Sequence, residues 1–127
     1  MPVQNIPESF IPSFKNLPDL FVHDYRMTAE VVKSKVNLSL HVFSFLQTGQ
    51  KKIHFSDTYA EVNEAQSILI KNGNCLVTEL LNHDLVYYCK LFFFSQKMVE
   101  DFLQKYGYLA LSKKAIPNEV PFFVIEN

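Results

Sequence analysis

The chain has 127 residues, 48% of them hydrophobic, and a formal net charge of −1 from 12 basic and 13 acidic side chains. At this length one domain with one core is expected. Eleven lysines stand against a single arginine, Arg26, so neither a long-range pull on nucleic acid nor a bidentate clamp for phosphate or carboxylate is expected. The longest apolar run falls well short of a membrane span. The first residues, Met1 to Phe14, show no basic stretch followed by an apolar core. A cytoplasmic protein without membrane contact is therefore expected.

Residues 1–20 carry prolines at 2, 7, 12 and 18. Proline lacks an amide hydrogen, so this stretch is predicted as an extended arm, not a regular helix or a central strand. Its apolar anchors are Phe10, Ile11, Phe14 and Leu17. Residues 21–107 are predicted as the folded unit, with a first strand starting near Leu20-Phe21-Val22. From Ala29 to Phe94, short apolar runs alternate with polar turn clusters every eight to ten residues. The runs are VNLSLHVFSFL, KKIHFS, TYAEV, SILI, CLVTELL and LVYYCKLFFF. Thr48-Gly49-Gln50, Ser56-Asp57, Asn63-Glu64, Lys71-Asn72-Gly73-Asn74 and Asn82-His83-Asp84 separate them. Such spacing marks an all-β meander or barrel, not an α/β unit.

A helix is predicted over 95–106. Met98, Val99, Phe102, Leu103 and Tyr106 fall on one stripe at a 3.6-residue period. That stripe must be buried against the barrel or against a second copy in a homodimer. Ser95 suits the N-cap and Gly107 the stop. The tail, 108–127, holds Lys113-Lys114 and prolines 117 and 121. It ends on Phe122-Phe123-Val124-Ile125, a second apolar surface in need of cover.

Little in the chain points to catalysis. His23, His41, His54 and His83 include no pair two residues apart, the spacing that turns two imidazoles into one barrel. A site from His41, His54 and Glu79 is geometrically conceivable but has no local support, so no metal or cofactor is expected. No serine or cysteine sits in a recognisable strand-to-helix elbow. Glycines 49, 73 and 107 are turn or cap positions, not a phosphate-cradling loop. Cys75 and Cys89 each sit inside a predicted strand and read as small buried thiols; a bridge would need their Cβ atoms to face each other. Twelve phenylalanines and six tyrosines leave two readings open. They fill a solid core, or some of them, such as Phe43, Phe45 and Tyr88, line an apolar ligand pocket.

Several stretches carry a resemblance. They are Lys33-Ser34-Lys35-Val36-Asn37-Leu38, then His41-Val42-Phe43-Ser44-Phe45-Leu46 and Gly49. Asn63-Glu64-Ala65-Gln66, Ile68-Leu69-Ile70 and Asn72-Gly73-Asn74 follow. Leu91-Phe92-Phe93-Phe94 and the helix from Met98 to Tyr106 close the set. In this order the chain resembles, over about residues 28–107, the N-terminal regulatory domain of AraC-family transcriptional regulators, especially the ExsA-like subgroup. The resemblance implies a mainly β fold: a cupin-like double-stranded β-barrel, or jelly roll, then one amphipathic helix and an extended C-terminal tail. It implies a domain, not an enzyme, that senses an effector or a regulatory protein and often dimerises; the aromatic content makes any such effector small and largely apolar. DNA binding would belong to a separate helix-turn-helix domain that residues 108–127 lead toward, with no nucleic-acid contact by this chain. The alternative is a small stand-alone cupin enzyme or ligand-binding protein.

Overall fold

The computed structural model describes residues 3–11, 16–110 and 121–126, and within them every side chain except those of 103 and 106–110. The expectations for Phe14, for the side chains of Leu103 and Tyr106, and for Lys113, Lys114 and Pro117 lie outside the described residues.

Ten strands form two five-stranded sheets. In chain order they are β1 (Gln4–Ile6), β2 (Leu20–Met27), β3 (Val31–Leu38), β4 (His41–Thr48), β5 (Gln50–His54), β6 (Tyr59–Val62), β7 (Gln66–Ile70), β8 (Gly73–Leu80), β9 (Tyr87–Phe94) and β10 (Phe122–Glu126). One sheet has the order β1-β3-β8-β5-β6 and the other β10-β7-β4-β9-β2. All pairings are antiparallel except β1 with β3. The mainly β, cupin-like barrel expected from the sequence is the architecture found.

Side-chain alternation decides what each sheet hides. In β4, Val42, Ser44 and Leu46 are buried, and in β9, Tyr87, Cys89, Leu91 and Phe93. The opposite sheet contributes Val36, Leu38, Ile53, Ala60 and Val62. Each large apolar side chain so buried stabilises the fold by roughly 1.5–3 kcal/mol before the ordering cost.

The long apolar run from Val36 to Leu46 divides between the two sheets at Ser39-Leu40. Ser39 holds the crossing. Its N–H donates to the Ile6 carbonyl at 2.9 Å, and its hydroxyl donates to Glu8 Oε2 at 2.6 Å. The proline-bearing arm thus supplies β1, an edge strand, and a 3-10 turn, Glu8–Phe10.

The helix α1 runs Gln96–Ala110. Ser95 caps it as expected: its Oγ accepts the Met98 N–H at 3.2 Å and donates to Asp19 Oδ1 at 2.8 Å. Gly107 does not end it; the helix continues three residues further. His41 pins the first turn. Its Nδ1 accepts the Asn72 N–H at 3.1 Å, so Nε2 carries the proton and donates to Gln96 Oε1 at 2.8 Å. The end of the tail returns as β10, with Phe122 stacked on Phe55 at 5.3 Å.

Candidate ligand-binding cavity

A cavity of about 360 Å³ lies between the two sheets, within the range of small-molecule sites. Its walls are apolar: Val36, Leu38 and Val77 from one sheet, Val42, Leu91 and Phe93 from the other. The arm adds Ile6 and Phe10. Phe10 stacks on His23 at 4.2 Å and tilts against Phe93 at 6.3 Å. The aromatic-rich interior is therefore hollow in part and packed in part.

Two charged residues project into this apolar space. Lys51 of β5 is 6% exposed and Glu79 of β8 is 7% exposed, and both line the cavity. They are direct register partners on adjacent strands. Each reaches across to the opposite sheet. Lys51 Nζ donates to Ser44 Oγ on β4 at 3.3 Å. Glu79 Oε1 accepts the Tyr25 hydroxyl of β2 at 2.9 Å. Buried charge is tolerated only when hydrogen-bonded or paired, and these two tethers are what the fold provides.

Three further polar groups at or beside the site, Cys75, Tyr25 and Tyr87, are held neutral. Burial pushes the Cys75 thiol up to about 11, although the Lys51 charge opposes the shift. Burial, then the charge and hydrogen bond of Glu79, pushes Tyr25 above the ordinary tyrosine range. Burial likewise pushes Tyr87 up. The Tyr87 hydroxyl has no hydrogen-bond partner among the described residues. Cys75 and Cys89 are free thiols, and Ser44 Oγ sits 2.8 Å from Cys89 Sγ. The Cys75 thiol, held this far above neutrality, is no nucleophile. The site can enclose and orient a molecule.

The sequence-predicted pocket residues lie elsewhere. Phe43, Phe45 and Tyr88 do not line this cavity. Val42 and Ser44 take the inward positions of β4, and Tyr87 and Cys89 those of β9. One residue of offset sends Phe43, Phe45 and Tyr88 to the outer face. There Phe43 stacks on Phe45 at 4.6 Å, and Arg26 lies 3.9 Å over the Tyr88 ring. His41, His54 and Glu79 do not converge either. His41 faces outward beside α1, and His54 stacks on the exposed Tyr59 at 5.6 Å. No group of three metal-ligating side chains gathers among the described residues.

Lys51 was missed, and Glu79 was weighed only beside His41 and His54. The usable signal was parity: Lys51 is in phase with Ile53, and Glu79 with Cys75 and Val77, so the apolar side of each strand carries its charge inward.

On α1, Met98 is 37% and Phe102 57% exposed, while Val99 is half-buried. No helix among the described residues is long and apolar enough to cross a membrane.

Known proteins fit this architecture. ToxT from Vibrio cholerae superposes with a TM-score of 0.64 at 12% identity, over 87% of this chain and 43% of that one. ToxT bound to (E)-4-(8-methylnaphthalen-1-yl)but-3-enoic acid gives 0.58 at 14% identity, with 87% and 43% covered. Unsaturated fatty acid-bound ToxT gives 0.56 at 10% identity, with 90% and 43% covered. The chain spans less than half the length of these proteins, and at such identities the likeness is one of fold. No curated protein matches by sequence. The sequence matches the family described as the ExsA N-terminal regulatory domain over residues 41–127. With most of the chain matched and the expected barrel in place, this protein belongs to the ExsA N-terminal regulatory domain family.

Proposed function

We propose that this domain senses a small, largely apolar effector inside the barrel and reports it to a DNA-binding domain outside residues 1–127. The observation that carries the reading is the apolar cavity of about 360 Å³ between the sheets. A solid core would give an effector nowhere to enter, and interiors of this size are otherwise close-packed. The carboxylic acids bound to ToxT, one with a naphthalene ring and one an unsaturated fatty acid, support an apolar ligand body. Family membership supports regulation over catalysis. The exposed Met98 and Phe102 support a homodimer through α1, one of the two packings expected of that stripe.

The test is a thermal-shift screen with acyl-chain compounds of graded length and varied head group, on the wild type and on Val77→Phe, which fills the cavity. Binding compounds raise Tm in the wild type and lose that effect in the variant. A wild-type Tm that no compound moves, whatever its head, overturns the effector reading. Light scattering on the wild type and Phe102→Glu tests the dimer. A wild-type monomer at high protein concentration defeats that part alone.

A further inference from the structure

We propose that the effector carries a net-neutral head with both a hydrogen-bond donor and an acceptor, of the carboxamide class, that bridges Lys51 and Glu79. This rests on the effector reading above and deepens it.

The argument starts from register. Lys51 and Glu79 are opposite one another on β5 and β8, on the same inward face. Such neighbours have Cβ atoms about 4.5–5.5 Å apart and are well placed to close an ion pair. They do not close one. Lys52 and Glu61, which form an exposed ion pair at 3.7 Å, show the closure that Lys51 and Glu79 lack. Instead the two charges diverge, Lys51 toward Ser44 and Glu79 toward Tyr25. Both side chains are more than nine-tenths buried.

Each tether uses only part of what the group offers. An ammonium has three donors, and one goes to Ser44. A carboxylate has two oxygens. Oε1 of Glu79 takes the Tyr25 hydroxyl, and Oε2 has no partner among the described residues. The cavity thus presents spare donors on Lys51 and a spare acceptor on Glu79, side chains that start from paired positions and turn to different partners, in surroundings of Val36, Val77 and Leu91.

Head-group chemistry follows from this. A carboxylate head would satisfy Lys51 but stand beside Glu79, a like charge in a place poor in water. An amine head would satisfy Glu79 and meet the same repulsion from Lys51. A carboxamide accepts from Lys51 through its oxygen and donates to Glu79 through its N–H. It brings no net charge into a site where the two charges already sum to zero. The rest of the molecule is an apolar chain.

The test is calorimetric titration of the wild type, Glu79→Gln and Lys51→Met with decanamide, decanoate and decylamine. In the wild type decanamide binds at least about tenfold tighter than either charged probe, the order expected when buried polar groups must be matched. Glu79→Gln shifts the preference by a similar factor toward decanoate. Lys51→Met shifts it toward decylamine. Decanoate or decylamine binding the wild type as tightly as decanamide overturns the head-group assignment, whether or not the variants fold, and leaves the effector reading standing. A folded Glu79→Gln with unchanged preference overturns it as well. If none of the three binds the wild type, the assignment falls, and failure of the wider acyl screen as well takes the effector reading with it.

Discussion

A Cβ placed on Gly49 would stand 2.9 Å from Cδ2 of Tyr87 and 2.6 Å from the Leu80 carbonyl oxygen. Gly49 also has φ +104°, a backbone conformation that L side chains rarely adopt. Tyr87 is fully buried and has no room to retreat. Gly49→Ala therefore combines strain with overpacking and is expected to cost roughly 3 kcal/mol or more. Gly73 is the control. Its φ is +138°, but nothing lies within 4 Å of its missing Cβ, so Gly73→Ala should cost only the backbone strain, about 1–2 kcal/mol. Urea unfolding of both variants checks the order; equal losses would show that packing at Tyr87 plays no part.

The inward and outward positions of the β4–β9 pair should differ sharply in energy. Phe93 is fully buried and lines the cavity, so Phe93→Ala is expected to cost about 3–5 kcal/mol. Phe43 is half-buried on the outer face, and Phe43→Ala should cost well under half of that while leaving effector binding intact. Loss of binding in a folded Phe43→Ala protein would return the pocket to the outer face.

Both thiols should resist reagents in the native protein. Cys75 and Cys89 are buried, and burial holds Cys75 at about 11, so little thiolate exists near neutrality. Ellman's reagent should react with neither at pH 7 until denaturant is added, and then with both. Rapid native labelling of Cys75 would mean that the cavity admits a charged reagent freely.

His23 gives a pH signature. Burial holds its pKa below the ordinary 6.5, and the nearby Asp24 charge only partly offsets this. The unfolded chain then binds the proton more readily than the folded one. The contribution of this group is complete above about 6.5 and is lost as pH falls through the lower, folded value. Nuclear magnetic resonance titration of the imidazole should give a midpoint under 6.5. A midpoint above it would mean that Asp24, not the Phe10 stack, dominates.

Local chemistry was legible in the sequence where it acts over a few residues. The runs from Lys51 to Phe94 became β5 to β9, because period-two alternation needs no knowledge of the partner strand. Ser95 caps α1, because an N-cap satisfies amides two or three residues on. What depends on distant partners was not legible. Ser39 breaks the run from Val36 to Leu46 only because Ile6 and Glu8 are there to meet it. The Lys51–Glu79 juxtaposition is a register between strands about thirty residues apart, and register is a tertiary property. Phe43, Phe45 and Tyr88 were singled out by residue type, whereas the face each occupies follows from which neighbour turns inward.

Strand β10 carries one more consequence. It covers the free side of β7 along Gln66-Ser67-Ile68-Leu69-Ile70, a segment with no charge to discourage further pairing. A chain cut before Pro121 would leave that row of amides and carbonyls open to another molecule's strand. Such a truncation should remain largely β by circular dichroism yet sediment as large, concentration-dependent assemblies. Residues 122–126 would then act as a built-in guard on solubility, set against the edge that β7 would otherwise expose.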